Sequence, residues 1–186
     1  MNALIVGGTH GIGRATAYLL SSKGWNVVVY GRNDYNVLTP SNADHFRLKS
    51  DAHRIGGYDA FVYSAGDIEA IGVWAFQFPI VFYNLITNEY GLFNDGCAIL
   101  AISSVAAERP AKQYPHYAAA KAALESYVRT LADSELCAKH KWKVEYIRFD
   151  LVRTQMYAKL KNPVGQAIYA DAAAQDIVDR IEEMRR

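Results

Sequence analysis

The beginning of this chain limits its fold more than any other feature. Asn2-Ala3-Leu4-Ile5-Val6 is a short apolar run suited to a parallel strand buried on both faces. It leads straight into Gly7-Gly8-Thr9-His10-Gly11-Ile12-Gly13-Arg14. A helical pattern follows, with Ile12, Ala15, Leu19 and Leu20 on one face and Gly24 as a stop. Strand, glycine turn and helix N-terminus in that order form a phosphate cradle. Backbone N–H groups and the positive end of the helix dipole converge where glycine lets a ligand come close. The spacing, Gly7-x3-Gly11-x-Gly13, differs from the commoner G-x-G-x-x-G fingerprint, but its place at the first strand is that of a dinucleotide site.

Further along, residues 26–30, 46–49, 59–63, 97–102 and 143–149 read as strands separated by helices or compact connections. With the first run, this predicts an α/β fold: a doubly wound, Rossmann-type parallel sheet of six strands with helices on both faces, in one domain covering residues 1–186. A hydrophobic content of 51% with 21% charged residues suffices for a full core. Right-handed crossovers would put the ligand crevice at the carboxyl ends of the strands, where the glycine turn, Gly66, Ser104 and Asp150 fall. The apolar, aromatic stretch from Gly72 to about Phe93 reads as a helix kinked by Pro79. The connection from Asp51 to Tyr58 is too short for a full helix. Ala173, Ile177, Val178, Ile181 and Met184 recur at helical spacing, so an amphipathic helix ends the chain.

Tyr117 and Lys121 lie four residues apart in a stretch that reads as helix, so both side chains point to one face. A neighbouring ammonium favours phenolate and is expected to lower the Tyr117 pKa from about 10, toward the range of a general acid. A net charge of +1 without a Lys/Arg run argues against a nucleic-acid partner. No apolar run reaches membrane-spanning length, and the first strand leaves no room for a signal peptide. No membrane partner and a cytoplasmic location are therefore expected. Cys97 and Cys137 lack metal or redox spacing and read as reduced thiols, so no metal is expected.

Taken together, these marks resemble the short-chain dehydrogenase/reductase family. The glycine turn at Gly7, Gly11 and Gly13 matches the family's pattern; Tyr63-Ser64-Ala65-Gly66 stands where the family has Asn-Asn-Ala-Gly; Ser103-Ser104 ends a strand; and Tyr117-x3-Lys121 matches the family signature. Asn84 resembles the family's catalytic Asn. The resemblance implies hydride transfer between a nicotinamide cofactor and a small carbonyl or alcohol. Tyr117 would be the proton donor and Ser104 would hold the carbonyl oxygen. Lys121 would tune Tyr117 and bind the nicotinamide ribose, and Asn84 would hold a relay water. Cofactor contacts are implied for Gly7, Thr9, His10, Gly11, Ile12, Gly13, Asp51, Ser64, Ala65, Gly66, Tyr117, Lys121, Val152 and Thr154. At the end of the second strand, Arg32 offers a fork of donors matched to a 2′-phosphate and favours NADP(H). Asp34 keeps NAD(H) open.

The chain also departs from the family. Phe149-Asp150 replaces Pro-Gly after the last strand, and Asp150 would either alter cofactor affinity or give the substrate a charged contact. The lid segment from Gln155 to Tyr169 is brief, with Met156, Tyr157 and Leu160 as its apolar content. The resemblance implies a homo-oligomer, a dimer more than a tetramer, built on the helices of residues 74–93 and 117–137. A non-catalytic NADP(H)-binding sensor or assembly protein on the same fold is the alternative reading.

Overall fold

Burial on both faces explains why the N-terminal run becomes an inner strand. In β1 (Asn2–Val6), Leu4 and Val6 face one hydrophobic layer while Ala3 and Ile5 face the other, and all four are essentially inaccessible. The computed structural model describes residues 1–31, 33–34, 41–88, 91–109, 111–161, 163 and 165–186. After β1 come α1 (Gly11–Ser22), β2 (Asn26–Tyr30), α2 (Asn42–Ile55), β3 (Tyr58–Tyr63), α3 (Val73–Asn88) and β4 (Phe93–Ser104). The chain continues through α4 (Pro115–Ala132), α5 (Glu135–His140), β5 (Lys143–Phe149), β6 (Val152–Arg153), β7 (Ile168–Tyr169) and α6 (Ala170–Met184).

The main sheet is parallel, with strand order β2-β1-β3-β4-β5. Helices α1 and α6 cover the face of Ala3 and Ile5, where Ala173, Ile177, Val178, Ile181 and Met184 are buried as the spacing predicted. The opposite face is covered by α2, α3, α4 and α5, through residues such as Leu48, Phe82, Leu124 and Cys137. Tyr63 fixes α3 to the sheet, its hydroxyl donating to the Phe78 carbonyl at 2.7 Å and its ring 5.3 Å from that of Phe82. β6 and β7 form a separate two-stranded ribbon after the sheet.

One expected strand is a helix. Residues 46–49 lie inside α2, so among the described residues the main sheet has five strands rather than six. Local chemistry accounts for this. Ser41 and Asp44 form a capping box, in which the Asp44 N–H donates to the Ser41 hydroxyl at 3.2 Å and the Ser41 N–H to the Asp44 carboxylate at 2.9 Å. Gly56 then ends the helix in a left-handed conformation. Between these stops Leu48 and Ala52, four apart, are buried, and Ile55 packs against the same cluster.

Candidate active site

Between β1 and β3 the chain changes direction: α1 leaves β1 toward one face, and the helices after β2 and β3 lie on the other. In doubly wound sheets such a switch point opens a crevice at the carboxyl ends of the strands. A cavity of about 810 Å³ lies there, near the upper end of the range of about 300–1,000 Å³ typical of ligand sites. Its wall includes Gly7, Thr9, His10, Gly11 and Ile12 from the first turn and Ser64, Ala65 and Gly66 after β3. Ser104, Tyr117, Lys121, Val152 and Thr154 complete the expected set that the fold brings together.

The first turn demands its glycine. Gly7 has φ +86°, and a Cβ on it would meet the Ser64–Ala65 backbone at 2.6–2.9 Å. Gly13 does not line the cavity but packs α1 on the turn, since a Cβ there would lie 2.5 Å from the Gly7 carbonyl. His10 occupies the N-cap of α1 without capping it by its side chain, so first-turn N–H groups stay available to an anion. These features fit a dinucleotide pyrophosphate.

Tyr117 and Lys121 come from α4, whose first helical residue is Pro115. Ser104 ends β4, where its hydroxyl also accepts from the Ala106 N–H at 3.2 Å. Lys121 is only 7% exposed. Its Nζ donates to the Ile102 carbonyl at 2.6 Å and lies 5.7 Å from the centre of the Tyr117 ring. Burial pulls the Lys121 ammonium down to about 8, while Glu125 pulls it up. The expected lowering of Tyr117 is not what the structure gives. Burial pushes its phenol above the ordinary value, and the Ser104 hydrogen bond offsets this only in part. The Lys121 ammonium sits over the ring and on a backbone carbonyl, so it does not dominate.

Two expected contacts fall elsewhere. Asn84 is exposed on α3 and is not part of the cavity wall; the buried face of that helix is formed by Phe78, Phe82 and Leu85. Asp51 is inside α2 and also off the cavity wall, accepting from the Tyr30 hydroxyl at 2.5 Å and from Arg54 at 3.2 Å. Arg32 lies outside the described residues. Asp34 does line the cavity, with its carboxylate accepting from the Gly31 N–H at 3.1 Å and lying 3.6 Å from Arg47.

Other wall residues carried no sequence mark. Ile68, Phe78, Ala111 and Tyr114 add apolar surface. Met156, Tyr157 and Leu160, from the segment after β6, add further apolar side chains to the wall. The Lys161 N–H donates to the Tyr114 hydroxyl at 3.0 Å, and Lys159 pairs with Glu69 at 2.5 Å, so the segment is held from both sides. Asp150 lies at the wall 3.8 Å from Arg109.

Comparison with known families gives two matches: the family described as short chain dehydrogenase over residues 1–57, and the one described as enoyl-(acyl carrier protein) reductase over residues 81–185. A small-chain dehydrogenase solved with NADPH is similar at 21% identity, with a TM-score of 0.78 covering 100% of this chain and 93% of that one. The 3-alpha-hydroxysteroid dehydrogenase of a Pseudomonas species, solved with NADH, is 17% identical with a TM-score of 0.75, covering 97% of this chain and 89% of that one. A short-chain type dehydrogenase/reductase from Mycobacterium ulcerans is also 17% identical, with a TM-score of 0.80 over 97% of this chain and 82% of that one. No curated protein matches. With a family match over more than half its length, and a fold shared along all of it, this chain belongs to the short-chain dehydrogenase/reductase family of NAD(P)-dependent oxidoreductases.

Proposed function

We propose that this protein transfers a hydride between NADP(H) and a small carbonyl or alcohol substrate, with Tyr117 as general acid and base. The observation that carries the proposal is the meeting of Ser104, Tyr117 and Lys121 with the first-turn residues Gly7, Thr9, His10, Gly11 and Ile12 on the wall of one cavity. When bound, the cofactor supplies or accepts the hydride at nicotinamide C4. The remaining tasks belong to the chain. Backbone N–H groups around Gly11 and Ile12 would hold the pyrophosphate, and Ser64, Ala65, Gly66, Val152 and Thr154 on the same wall would contact the rest of the dinucleotide. In reduction, Tyr117 donates its proton to the carbonyl oxygen while the Ser104 hydroxyl donates a hydrogen bond to the same oxygen and keeps it in line. Lys121, as an ammonium, favours the phenolate that this step leaves and binds the nicotinamide ribose.

NADP(H) is favoured because Asp34, the carboxylate available to the adenine ribose, is already engaged by the Gly31 N–H and faces Arg47. NAD(H) is the second option. Ile71, Val73 and Trp74, at 67%, 70% and 49% exposure, leave apolar surface at the start of α3, which supports a homodimer. The two buried free thiols suit a reducing, cytoplasmic setting. The alternative, a non-catalytic NADP(H)-binding sensor or assembly protein, draws support from Asn84, whose exposed position leaves the relay role unfilled.

Fluorescence titration with NADPH and NADH, followed by NADPH oxidation against small ketones, aldehydes and quinones, tests the proposal. Tight NADPH binding with turnover is expected. Binding without turnover throughout would favour the sensor, and binding of neither cofactor would overturn both readings.

A further inference from the structure

Glu125 is a buried carboxylate that the reaction described above does not use. It is 3% exposed on α4 and lies one helical turn beyond Lys121, on the same face. Such a group persists in a core only when its oxygens are satisfied. Its Oε1 accepts from the Ser103 hydroxyl at 2.6 Å and from Arg148 Nε at 2.7 Å, and its Oε2 accepts from Arg148 Nη2 at 2.6 Å. The Arg148 fork is thus bidentate.

The partners matter for where they sit in the chain. Ser103 immediately precedes Ser104 at the end of β4. Arg148 immediately precedes Phe149 and Asp150, which enter the cavity wall. Lys121 and Tyr117 precede Glu125 on its own helix. One carboxylate therefore ties together the segments that carry the proton donor, its oxygen-holding serine and the loop at the nicotinamide end. Stability is a weak reason for this arrangement, because apolar replacement of a buried ion pair is often neutral or stabilising. The neighbouring inward positions on α4, Leu124 and Val128, are apolar.

We propose that Glu125 is a positioning residue of the hydride-transfer site: it supplies the counter-charge for the buried Lys121 ammonium and fixes Ser104 and the loop after β5 relative to Tyr117. This rests on the hydride-transfer reading. Lys121's direct partner is the neutral Ile102 carbonyl, so a nearby negative charge is what opposes loss of its proton on burial. Burial pushes Glu125 up, but the hydrogen bonds from Arg148 and Ser103 and the charges of Arg148 and Arg129 outweigh it, and the carboxyl is held low and ionised at neutral pH. Arg129 stands 3.8 Å from Glu125, and Arg148 also meets Glu108 and reaches the Tyr146 hydroxyl at 3.4 Å. Helix α3, packed on the other side of α4, has no charged side chain; its Tyr83 ring is tilted against that of Tyr127, with centres 4.9 Å apart.

The test follows the titration of Lys121 by NMR in protein carrying 13C at lysine Cε, with its signal assigned by loss in Lys121→Met. In Glu125→Gln, which keeps size and acceptor capacity but removes charge, Lys121 is expected to titrate about one pH unit lower, a tenfold weaker hold on its proton. The basic limb of NADPH-dependent kcat/KM moves down with it. Glu125→Asp, retaining the charge, leaves Lys121 near its wild-type titration. Should Glu125→Gln fail to fold, the double replacement Glu125→Leu with Arg148→Met keeps an apolar, packed site and is expected to lower the Lys121 titration likewise. An unmoved Lys121 in a folded charge-removing variant overturns the proposal whether or not turnover is found. Absence of turnover in the wild type counts against hydride transfer itself and leaves the titration result standing.

Discussion

Lys121 concentrates the conflict between stability and chemistry in this protein. An ammonium that is 7% exposed is held in an environment that favours its neutral form. Because its folded-state pKa, about 8, lies below the ordinary lysine value near 10.4, the unfolded chain binds more protons between these two values. Wild-type stability therefore gains from this residue as pH rises through that window, and below it the full cost of the buried charge is present. Lys121→Met lacks this component. Urea unfolding at pH 7.5, 8.5 and 9.5 should show wild type gaining on Lys121→Met as pH rises; a difference that stays flat would mean Lys121 is not held as described. Tyr117 is governed by the same physics. Its burial, and not the neighbouring cation, sets its direction, which spacing alone could not disclose.

At the level of elements, the helix α2 is the best test of how the chain chooses its local structure. Four residues, Phe46 to Lys49, have the composition of a short strand, yet the capping box of Ser41 and Asp44 and the left-handed Gly56 enclose them in a helix. Ser41→Ala removes one half of that box and is expected to cost about 1 kcal/mol, or roughly 2–4 °C in Tm for a chain of this size. Calorimetry of the variant checks it, and an unchanged Tm would mean the cap contributes nothing. Elements with strong periodicity were legible from sequence: β1, α4 and α6 need no information beyond their own residues. The placement of Asn84 and Asp51 was not. Each was carried over from family spacing, and that spacing fails where one helix replaces a strand and its connections, or where the phase of α3 turns a residue outward. Glu125 did leave a trace in the sequence, a lone carboxylate between Leu124 and Val128 on the face that carries Lys121.

For the whole molecule, the decisive fact is topological. With strand order β2-β1-β3-β4-β5, the reversal between β1 and β3 gathers the glycine turn, Gly66, Ser104 and the start of α4 around one cavity, although they are far apart in the chain. The sequence motifs identified the pieces, and the carboxyl-end rule for parallel sheets placed them together. What the motifs could not supply was the remainder of the wall, such as Phe78 and Tyr114, because those side chains belong to elements whose packing is set by the assembled core. The central claim is that this cavity moves a hydride with Tyr117 as its acid. The most direct measurement compares wild type and Tyr117→Phe for NADPH affinity and for NADPH-dependent turnover of the best carbonyl substrate. The account predicts unchanged affinity and a fall in kcat/KM of roughly 10²–10⁴-fold. Turnover by Tyr117→Phe at the wild-type rate would contradict it.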